Sequence, residues 1–323
     1  MSSFISTFLL LHIPDGFLSF AVAFIAWMII LGFLIVALRK GQQALDDRLI
    51  PLAGIMGAFI FAAQMINFPV AGGTSGHFIG AALAFIVLGP WLGLLTMTAV
   101  IALQALLFQD GGLLVMGANI LIMGVIPGFI GYQVYRMGSR RSPRVRLALG
   151  GIAAWLAIMG AALATTLLLA LSGTTTLALT LSAMLGVHTI IGIGEALITV
   201  AALALIGRSR PTLLEAGADH GGKTWLVTGL IITLLLVMIA PFASGHPDGL
   251  EWVAETTGFT DMAQESRYQL LPDYTLPWLG ETPVSTILAG IIGILVVFVI
   301  IYSISKALGR QKRLKNTGIT GME

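Results

Sequence analysis

Cysteine is absent from the 323-residue chain, and charged residues are scarce, at 10%. The absence of cysteine excludes disulfides, thiolate metal sites and cysteine nucleophiles. Soluble domains carry about 25% charged residues, whereas 57% of this chain is hydrophobic. Apolar stretches of about 18 residues or more recur along the whole length, long enough to cross a hydrocarbon core of about 30 Å as helices. The sequence therefore predicts an all-α, polytopic membrane protein.

Nine apolar spans are predicted. They are residues 17–38, 51–68, 78–89, 91–108, 113–136, 146–171, 176–207, 223–242 and 284–308. The region 78–108 could instead be one long helix, but Pro90 interrupts a regular helix interior. The span 176–207 is longer than the hydrocarbon core requires, so it must tilt, protrude or break.

The placement of basic residues predicts the orientation of the chain. Lysine and arginine favour cytoplasmic loops. If 78–108 crosses twice, all 17 basic residues except Arg267 fall on one side. A single crossing would move the arginines near position 140 to the other side. We therefore predict nine helices in a bacterial or archaeal cell membrane, with the N-terminus outside and the C-terminus in the cytoplasm.

The predicted organisation has five parts. They are an N-terminal extension (1–11), a seven-helix metal-binding unit (12–207), a cytoplasmic linker (208–222), a two-helix unit (223–308) with an acidic outward-facing loop (243–283), and a basic cytoplasmic tail (309–323). No GxxxxGK[ST] phosphate-binding loop occurs, so the chain has no ATPase motif of its own and is not predicted to be an enzyme. Any energy source must be a partner protein or an ion gradient.

Two histidines at predicted helix mouths are candidate metal ligands. His12 opens the stretch HIPDGFLS, in which Asp15 could accept backbone N–H bonds in a turn and helix cap. His77 ends the glycine-rich stretch NFPVAGGTSGH, which alone reads as a flexible loop. Both histidines are predicted on the outer side of the membrane. Two imidazoles and nearby backbone nitrogens make a candidate site for a divalent transition metal ion.

The stretch VHTIIGIGEAL places His188 and Glu195 on one helix face. Glu195 is the only acid within a predicted span, and an ionisable residue in a membrane is a functional candidate. The alternative is a structural hydrogen bond to a neighbouring helix, with Gln64, Asn67 or Asn119 as the partner. We predict a structural or gating role for Glu195 and not metal ligation.

The acidic loop contains a further candidate, the stretch HPDGLEWVAE. Its polar residues His246, Asp248 and Glu251 could gather cations electrostatically. The alternative is an ordinary solvated loop with a Pro-Asp-Gly turn followed by a helix.

Four stretches together resemble the CbiM/NikM family, the substrate-specific membrane subunits of cobalt and nickel energy-coupling-factor transporters. They are HIPDGFLS, NFPVAGGTSGHFIGAALAFIVLGPW, ALLFQDGGLLVMGANILIMGVI and HTIIGIGEALIT, and the resemblance covers residues 12–207. The C-terminal stretches SGHPDGLEWVAE, LPDYTLPW and LAGIIG resemble the PDGLE or NikN-type accessory component, here fused over roughly 223–308.

The resemblance implies an uptake subunit that captures Ni²⁺ or Co²⁺, with no permanently bound cofactor. Its implied partners are cytoplasmic ATPase subunits and a transmembrane coupling subunit. It implies metal ligation by an N-terminal amine, backbone amide nitrogens, the imidazole of a histidine at position two, and a histidine of the GGTSGH loop. The matching ligands are His12, His77 and the backbone nitrogen of Leu11, and the supporting or gating residues are Asn67, Asp15, His188 and Glu195. The PDGLE-like tail favours nickel.

The sequence departs from this pattern at its start. Ten residues, MSSFISTFLL, precede Leu11, which therefore offers a peptide nitrogen in place of an amine. The start could be misassigned, the extension could be cleaved, or another ligand could serve. We favour a misassigned start because the extension lacks the basic region of a signal peptide. The expected functional N-terminal residue is then the one before His12.

Two other functions remain open from the residues alone. One is a proton-coupled secondary metal transporter that uses Glu195 and His188 as a proton relay. The other is a metal sensor that does not transport. Inverted internal repeats would favour the secondary transporter, and the sequence contains no clear one.

The orientation can be tested with accessibility tags. A tag at the C-terminus and a tag in the 243–283 loop are expected to report opposite sides of the membrane, because the basic residues segregate to one set of loops. The measurement is labelling of intact cells with a membrane-impermeant reagent. Labelling of both tags, or of neither tag, would contradict the predicted topology.

Overall fold

The computed structural model describes residues 12–44, 46, 49–70, 72–209, 224–264, 266 and 268–316. Its α-helices are α1 (Phe20–Ala44), α2 (Leu49–Gln64), α3 (Ala81–Leu88), α4 (Pro90–Leu103), α5 (Met116–Ile120), α6 (Ile126–Arg136), α7 (Pro143–Leu171), α8 (Leu177–Ser209), α9 (Thr224–Ile239), α10 (Gly249–Thr257) and α11 (Pro283–Asn316). One π-helical turn, Gln104–Phe108, extends α4, and a second, Leu121–Val125, joins α5 to α6. The predicted all-α class is confirmed.

The described residues contain six helices that are long and apolar enough to cross a membrane. They are Phe20–Gln43, Pro90–Phe108, Met116–Arg136, Pro143–Leu171, Leu177–Arg208 and Pro283–Lys312, and two shorter apolar helices are Leu49–Gln64 and Leu226–Phe242. The chain is therefore a multi-pass membrane protein. The number of nine crossings, the orientation and the division into units of seven and two helices stay predictions, and residues 210–223 of the linker region lie outside the described residues.

The region 78–108 breaks at the predicted position. Helix α3 ends at Leu88 and α4 begins at Pro90, with Gly89 between them at φ +78°. The two helices fold back on each other, since a Cβ added to Gly93 would lie 3.0 Å from the Cα of Phe85. Helix α3 has eight residues, or about 12 Å at ~1.5 Å per residue. The predicted span 78–89 is thus a short helix enclosed by its neighbours. Residues 177–207 of the predicted span 176–207 belong to the unbroken helix α8.

A small antiparallel hairpin lies between α2 and α3. Strand β1 (Phe68–Val70) pairs with β2 (Thr74–Gly76), with Phe68 opposite Gly76. The turn contains Gly72 and Gly73 at φ +86° and +78°, a left-handed conformation that glycine adopts without a steric penalty. The hairpin ends directly before His77, so its position determines the position of the His77 backbone.

The C-terminal helices pack against the rest of the bundle. Helix α11 lies on α2 at Gly54 and Gly57, where added Cβ atoms would lie 2.8 Å from Phe298 and 2.1 Å from Ile301. Small residues allow helices in a membrane to approach closely. The two units that the sequence predicts are therefore in contact along their helices.

Helix α6 is equally close to α3 at Gly131. An added Cβ would lie 2.5 Å from the Cβ and 2.8 Å from the Cα of Ala82. We expect Gly131→Ala to destabilise the protein by about 1–3 kcal/mol, because a backbone contact must move apart. The measurement is thermal unfolding in detergent. Gly32→Ala in α1 is the control, since nothing lies within 4 Å of its added Cβ. Equal melting temperatures for the two variants would contradict this account of the packing.

Candidate metal centre

The structure brings His12 and His77 together, although 64 residues separate them in the sequence. Their ring centroids are 6.2 Å apart, and the rings are inclined by 27°. Both side chains line a cavity of about 60 Å³. The cavity is also lined by Ile13, Gly76, Ile79, Ile122, Met123, Ile158, Ala161, Ala162, Thr165, Met184, His188, Ile191, Asp248, Gly249 and Leu250.

The Nε2 atoms of both histidines are enclosed and have no hydrogen-bond partner within the described part of the chain. A buried polar atom without a partner costs about 1–3 kcal/mol. Two such nitrogens at the same small cavity are therefore suited to donate their lone pairs to one shared electron-pair acceptor. A divalent transition metal ion meets this requirement.

The other ring nitrogen of His12 is engaged. Its Nδ1 lies 2.7 Å from Oδ1 of Asp110, and both side chains are buried. A carboxylate can only accept a hydrogen bond, so Nδ1 carries the proton and Nε2 keeps its lone pair. A carboxylate behind a metal-binding histidine commonly fixes the tautomer and the ring orientation in this way. The sequence alone did not single out Asp110 as a site residue, although it lies in the quoted QDGG stretch.

The His77 ring is neutral in its surroundings. Burial and the neighbouring His12 lower the pKa of His77 to about 4. A neutral imidazole offers a lone pair to a metal ion, whereas a protonated one does not.

The HIPDG segment is held by hydrogen bonds from distant parts of the chain. Asp15 accepts bonds from the backbone amides of Leu113, Leu114 and Val115. The side chain of Asn119 accepts from the amide of Ile13 and donates to its carbonyl. The interpretation of Asp15 as the cap of its own helix is thus wrong. The helix begins only at Phe20, and Asp15 instead satisfies the amides before α5.

Glu195 has a structural position. Its two carboxylate oxygens accept bonds from the amides of Ile79, at 2.8 Å, and Gly80, at 2.9 Å. These amides precede α3 and would otherwise be unpaired in a buried segment. Gln64 donates to the carbonyl of Ile79 in the same place. Glu195 therefore bonds to backbone amides and not to the side chains predicted as its partners. No sequence pattern indicated these bonds.

His188 lines the cavity but is not paired with Glu195. Its Nδ1 lies 2.8 Å from the carbonyl oxygen of Met184 in the same helix. Among the described residues, no hydrogen bond links His188 to Glu195. The arrangement gives no support to a proton relay between these two side chains.

The 243–283 loop closes one side of the cavity. The carbonyl oxygens of His246 and Pro247 accept bonds from the side chains of Ser75 and Thr74, next to His77. Helix α10 then begins with Asp248 as its N-cap, and a Cβ added to Gly249 would lie 2.8 Å from the His188 ring. The helix that the alternative interpretation placed after the Pro-Asp-Gly turn is confirmed, whereas its solvated loop is wrong for the buried residues Asp248 and Leu250.

The three loop candidates occupy different positions. His246 is exposed and outside the cavity, whereas Asp248 is buried and lines it. Burial raises the pKa of Asp248 to about 7 and that of Glu251 to about 8. Glu251 is buried behind Asp248 and does not reach the cavity lining.

Asn67, another predicted site residue, does not line the cavity. Asn67 is buried, and its carbonyl oxygen accepts a bond from Ser244, which ties the hairpin to the 243–283 loop. Leu11 lies outside the described residues. Within those residues, no group of three or more histidines and acids is placed to hold a metal ion, so His12 and His77 would need donors of another kind.

The chain is similar to known proteins. Residues 12–213 match the CbiM family, described as the cobalt uptake substrate-specific transmembrane region, and residues 223–310 match the PDGLE domain. The chain belongs to the CbiM family. Both histidines and Asp110 lie in the CbiM match, while the loop that closes the cavity lies in the PDGLE match.

Two relatives that align over most of their length are named as fused proteins. The chain is 37% identical over 303 residues to a putative fused nickel transport protein NikMN of Archaeoglobus fulgidus, covering 92% of this chain and 98% of the relative. It is 28% identical to the fused nickel transport protein NikMN of Rhodobacter capsulatus, covering 88% and 94%. A crystal structure of a truncated transition metal transporter is 34% identical with a TM-score of 0.56, covering 61% of this chain and 98% of that one.

The position of Glu195 generates a testable prediction. Glu195→Gln removes one of the two carboxylate acceptors and the charge, so we expect a loss of about 1–3 kcal/mol of stability. Metal binding should persist, because Glu195 does not line the cavity. Thermal unfolding and Ni²⁺ binding of the purified protein are the measurements, with Glu255→Gln on the exposed side of α10 as the control. A stable variant that has lost metal binding would place Glu195 in the metal site.

Proposed function

We propose that the chain is the substrate-capture subunit of an energy-coupling-factor transporter that imports Ni²⁺ or Co²⁺. The metal ion is bound between the imidazoles of His12 and His77. The observation that carries this proposal is the pair of enclosed Nε2 atoms without partners at one cavity of about 60 Å³. Imidazole nitrogen suits nickel, as it also suits zinc, copper and iron, so the choice of Ni²⁺ or Co²⁺ rests on the family.

Backbone or terminal nitrogens would complete the coordination. Two imidazoles are too few ligands for Ni²⁺ or Co²⁺. His188 and Asp248 also line the cavity, but no three histidines or acids of the described residues are grouped closely enough to hold one ion. The backbone nitrogen of Leu11, as an amine, is the donor that the family resemblance suggests. A chelate that binds the metal through the backbone amide nitrogen of His12 would also use Nδ1 of the His12 ring. The hydrogen bond between Nδ1 and Asp110 would then have to break. In the orientation that the structure describes, His12 offers Nε2.

The partners are those that the family resemblance implies. The chain carries no phosphate-binding motif of an ATPase, and cytoplasmic ATPase subunits and a transmembrane coupling subunit would supply the energy. The N-terminus and the 243–283 loop then face outward, where the metal ion is captured. Nickel is favoured because three relatives are named as fused nickel transport proteins, one as putative and one as probable.

The decisive test is His77→Ala. We expect this variant to lose high-affinity Ni²⁺ and Co²⁺ binding, because one of the two facing imidazoles is removed. His246→Ala is the matched control, since its exposed ring lies outside the cavity. The measurements are equilibrium dialysis of the purified chain and metal uptake by cells that also express the ATPase and coupling subunits. Full binding by a folded His77→Ala variant would refute the proposed site.

A further inference from the structure

We propose that Asp248, in the PDGLE part of the chain, is the charge partner of the captured metal ion. Its carboxylate balances the positive charge of a divalent cation that other groups ligate, and it is not itself a ligand. The proposal rests on the proposed function and adds a residue of the 243–283 loop to the metal site. It applies whichever ring nitrogen of His12 binds the metal ion, because the attraction depends on charge and distance and not on a bond to the ring.

The cavity has few charges of its own. Among the described residues that line it, Asp248 is the one acid, and none is a lysine or an arginine. Most of the other lining residues are apolar. A divalent cation that enters such a cavity leaves water, and this is costly unless a charge of opposite sign is close. Asp248 is the lining residue that supplies this charge.

Asp110, the second acid near the histidines, has a partner elsewhere. Its Oδ2 accepts a hydrogen bond from the hydroxyl group of Tyr274 at 2.6 Å, and Asp110 is not among the residues that line the cavity. Burial is the main cause of the raised pKa of Asp248, and the charge of Asp110 raises it further, while His12 lowers it. The two carboxylates thus repel each other across the site, and a bound cation would compensate both.

One carboxylate oxygen of Asp248 is used by the fold, and the other is not. Oδ1 accepts bonds from the amides of Leu250 and Glu251, both at 2.8 Å, and so caps helix α10. Within the described part of the chain, Oδ2 accepts no hydrogen bond. A carboxylate oxygen has two lone pairs. Because the residue is buried and lines the cavity, the contents of the cavity are the partners open to Oδ2.

The carboxylate also removes a repulsion that a helix end would cause. Helix α10 begins at Gly249, which lines the cavity. A helix N-terminus carries about half a positive elementary charge on its unpaired amides, and this charge would repel a cation. With an ionised Asp248 as the cap, the helix start presents net negative charge to the cavity. A helix can therefore begin beside a cation site.

Neighbouring residues fix where the carboxylate lies. The carbonyl oxygen of Pro247 accepts a bond from the amide of Ser75 at 2.8 Å, two residues before His77. On the other side, a Cβ added to Gly249 would lie 2.8 Å from the His188 ring, so the backbone lies close against helix α8. Asp248 is thus anchored to the segment that carries His77. The charge stays at the cavity without a bond to a metal ligand.

The test compares Asp248→Asn with Asp261→Asn in the full-length protein, with Ni²⁺ as the probe. Asparagine caps a helix about as well as aspartate, so the first variant removes the charge and keeps the cap. Asp261 is the matched control, because it is exposed in the same loop and undergoes the same chemical change. Asp248→Asn is expected to weaken Ni²⁺ binding by roughly 10–100-fold, as loss of an outer partner in a metal site typically does. Asp261→Asn is expected to leave it unchanged.

Thermal unfolding distinguishes a charge partner from a residue that only stabilises the loop. The melting temperature of metal-free Asp248→Asn is expected to be unchanged or higher, because a buried charge is removed. The rise in melting temperature on adding Ni²⁺ is expected to be smaller than in the unchanged protein. Asp248→Ser, a second neutral cap, should behave in the same way, and it provides the test if the asparagine variant does not fold.

Four outcomes would overturn the proposal. They are unchanged Ni²⁺ affinity in the neutral variants, an equal loss of affinity in Asp261→Asn, a lower metal-free melting temperature with an unchanged rise on adding Ni²⁺, and altered visible absorption bands of the bound ion in Asp248→Asn. The last outcome would make Asp248 a ligand. In each case Ni²⁺ binding by the unchanged protein, abolished in His77→Ala, would leave the proposed function standing.

Discussion

The site depends on hydrogen bonds from side chains to backbone groups that no helix pairs. The HIPDG segment, the turn before α5 and the residues before α3 are all irregular, and each needs such partners. The structure assigns a polar side chain to each of them: Asn119 to Ile13, Asp15 to the amides of 113–115, and Glu195 to the amides of 79 and 80. These bonds fix the two segments that carry His12 and His77. His12 and His77 therefore lie next to each other because hydrogen bonds hold the backbone segments that carry them.

Two parts of the chain build this centre together. The CbiM part supplies both imidazoles, and the PDGLE part supplies the cover over the cavity and the tyrosine behind Asp110. The acid-rich loop is therefore structured where it meets the bundle, with Val253, Phe259 and Leu276 buried. Of its acids, Asp248 lines the cavity, and Glu251 is buried without reaching the lining.

The periodicity and composition of the sequence were sufficient to predict the helices but not the contacts between loops. The break at Gly89–Pro90 follows from proline chemistry, and the two histidines could be singled out by their placement at helix mouths. The partners of Asp15 and Glu195 could not, because each is a backbone amide about 100 residues away, which any residue type can provide. The contact of Tyr274 with Asp110 could not be predicted for the same reason. Nothing near it in the sequence indicates that its hydroxyl meets a carboxylate 164 residues earlier.

The covalent fusion of the two parts has a consequence for assembly. Helices α8 and α9 are joined by the segment between Ser209 and Thr224, so the cover and the cavity belong to one polypeptide. Their association is intramolecular, and its effective concentration is set by the length of the tether, not by the amount of protein in the membrane. Dilution in a lipid bilayer therefore cannot separate the cover from the histidines. Every copy of the chain carries its own cover in a fixed one-to-one ratio.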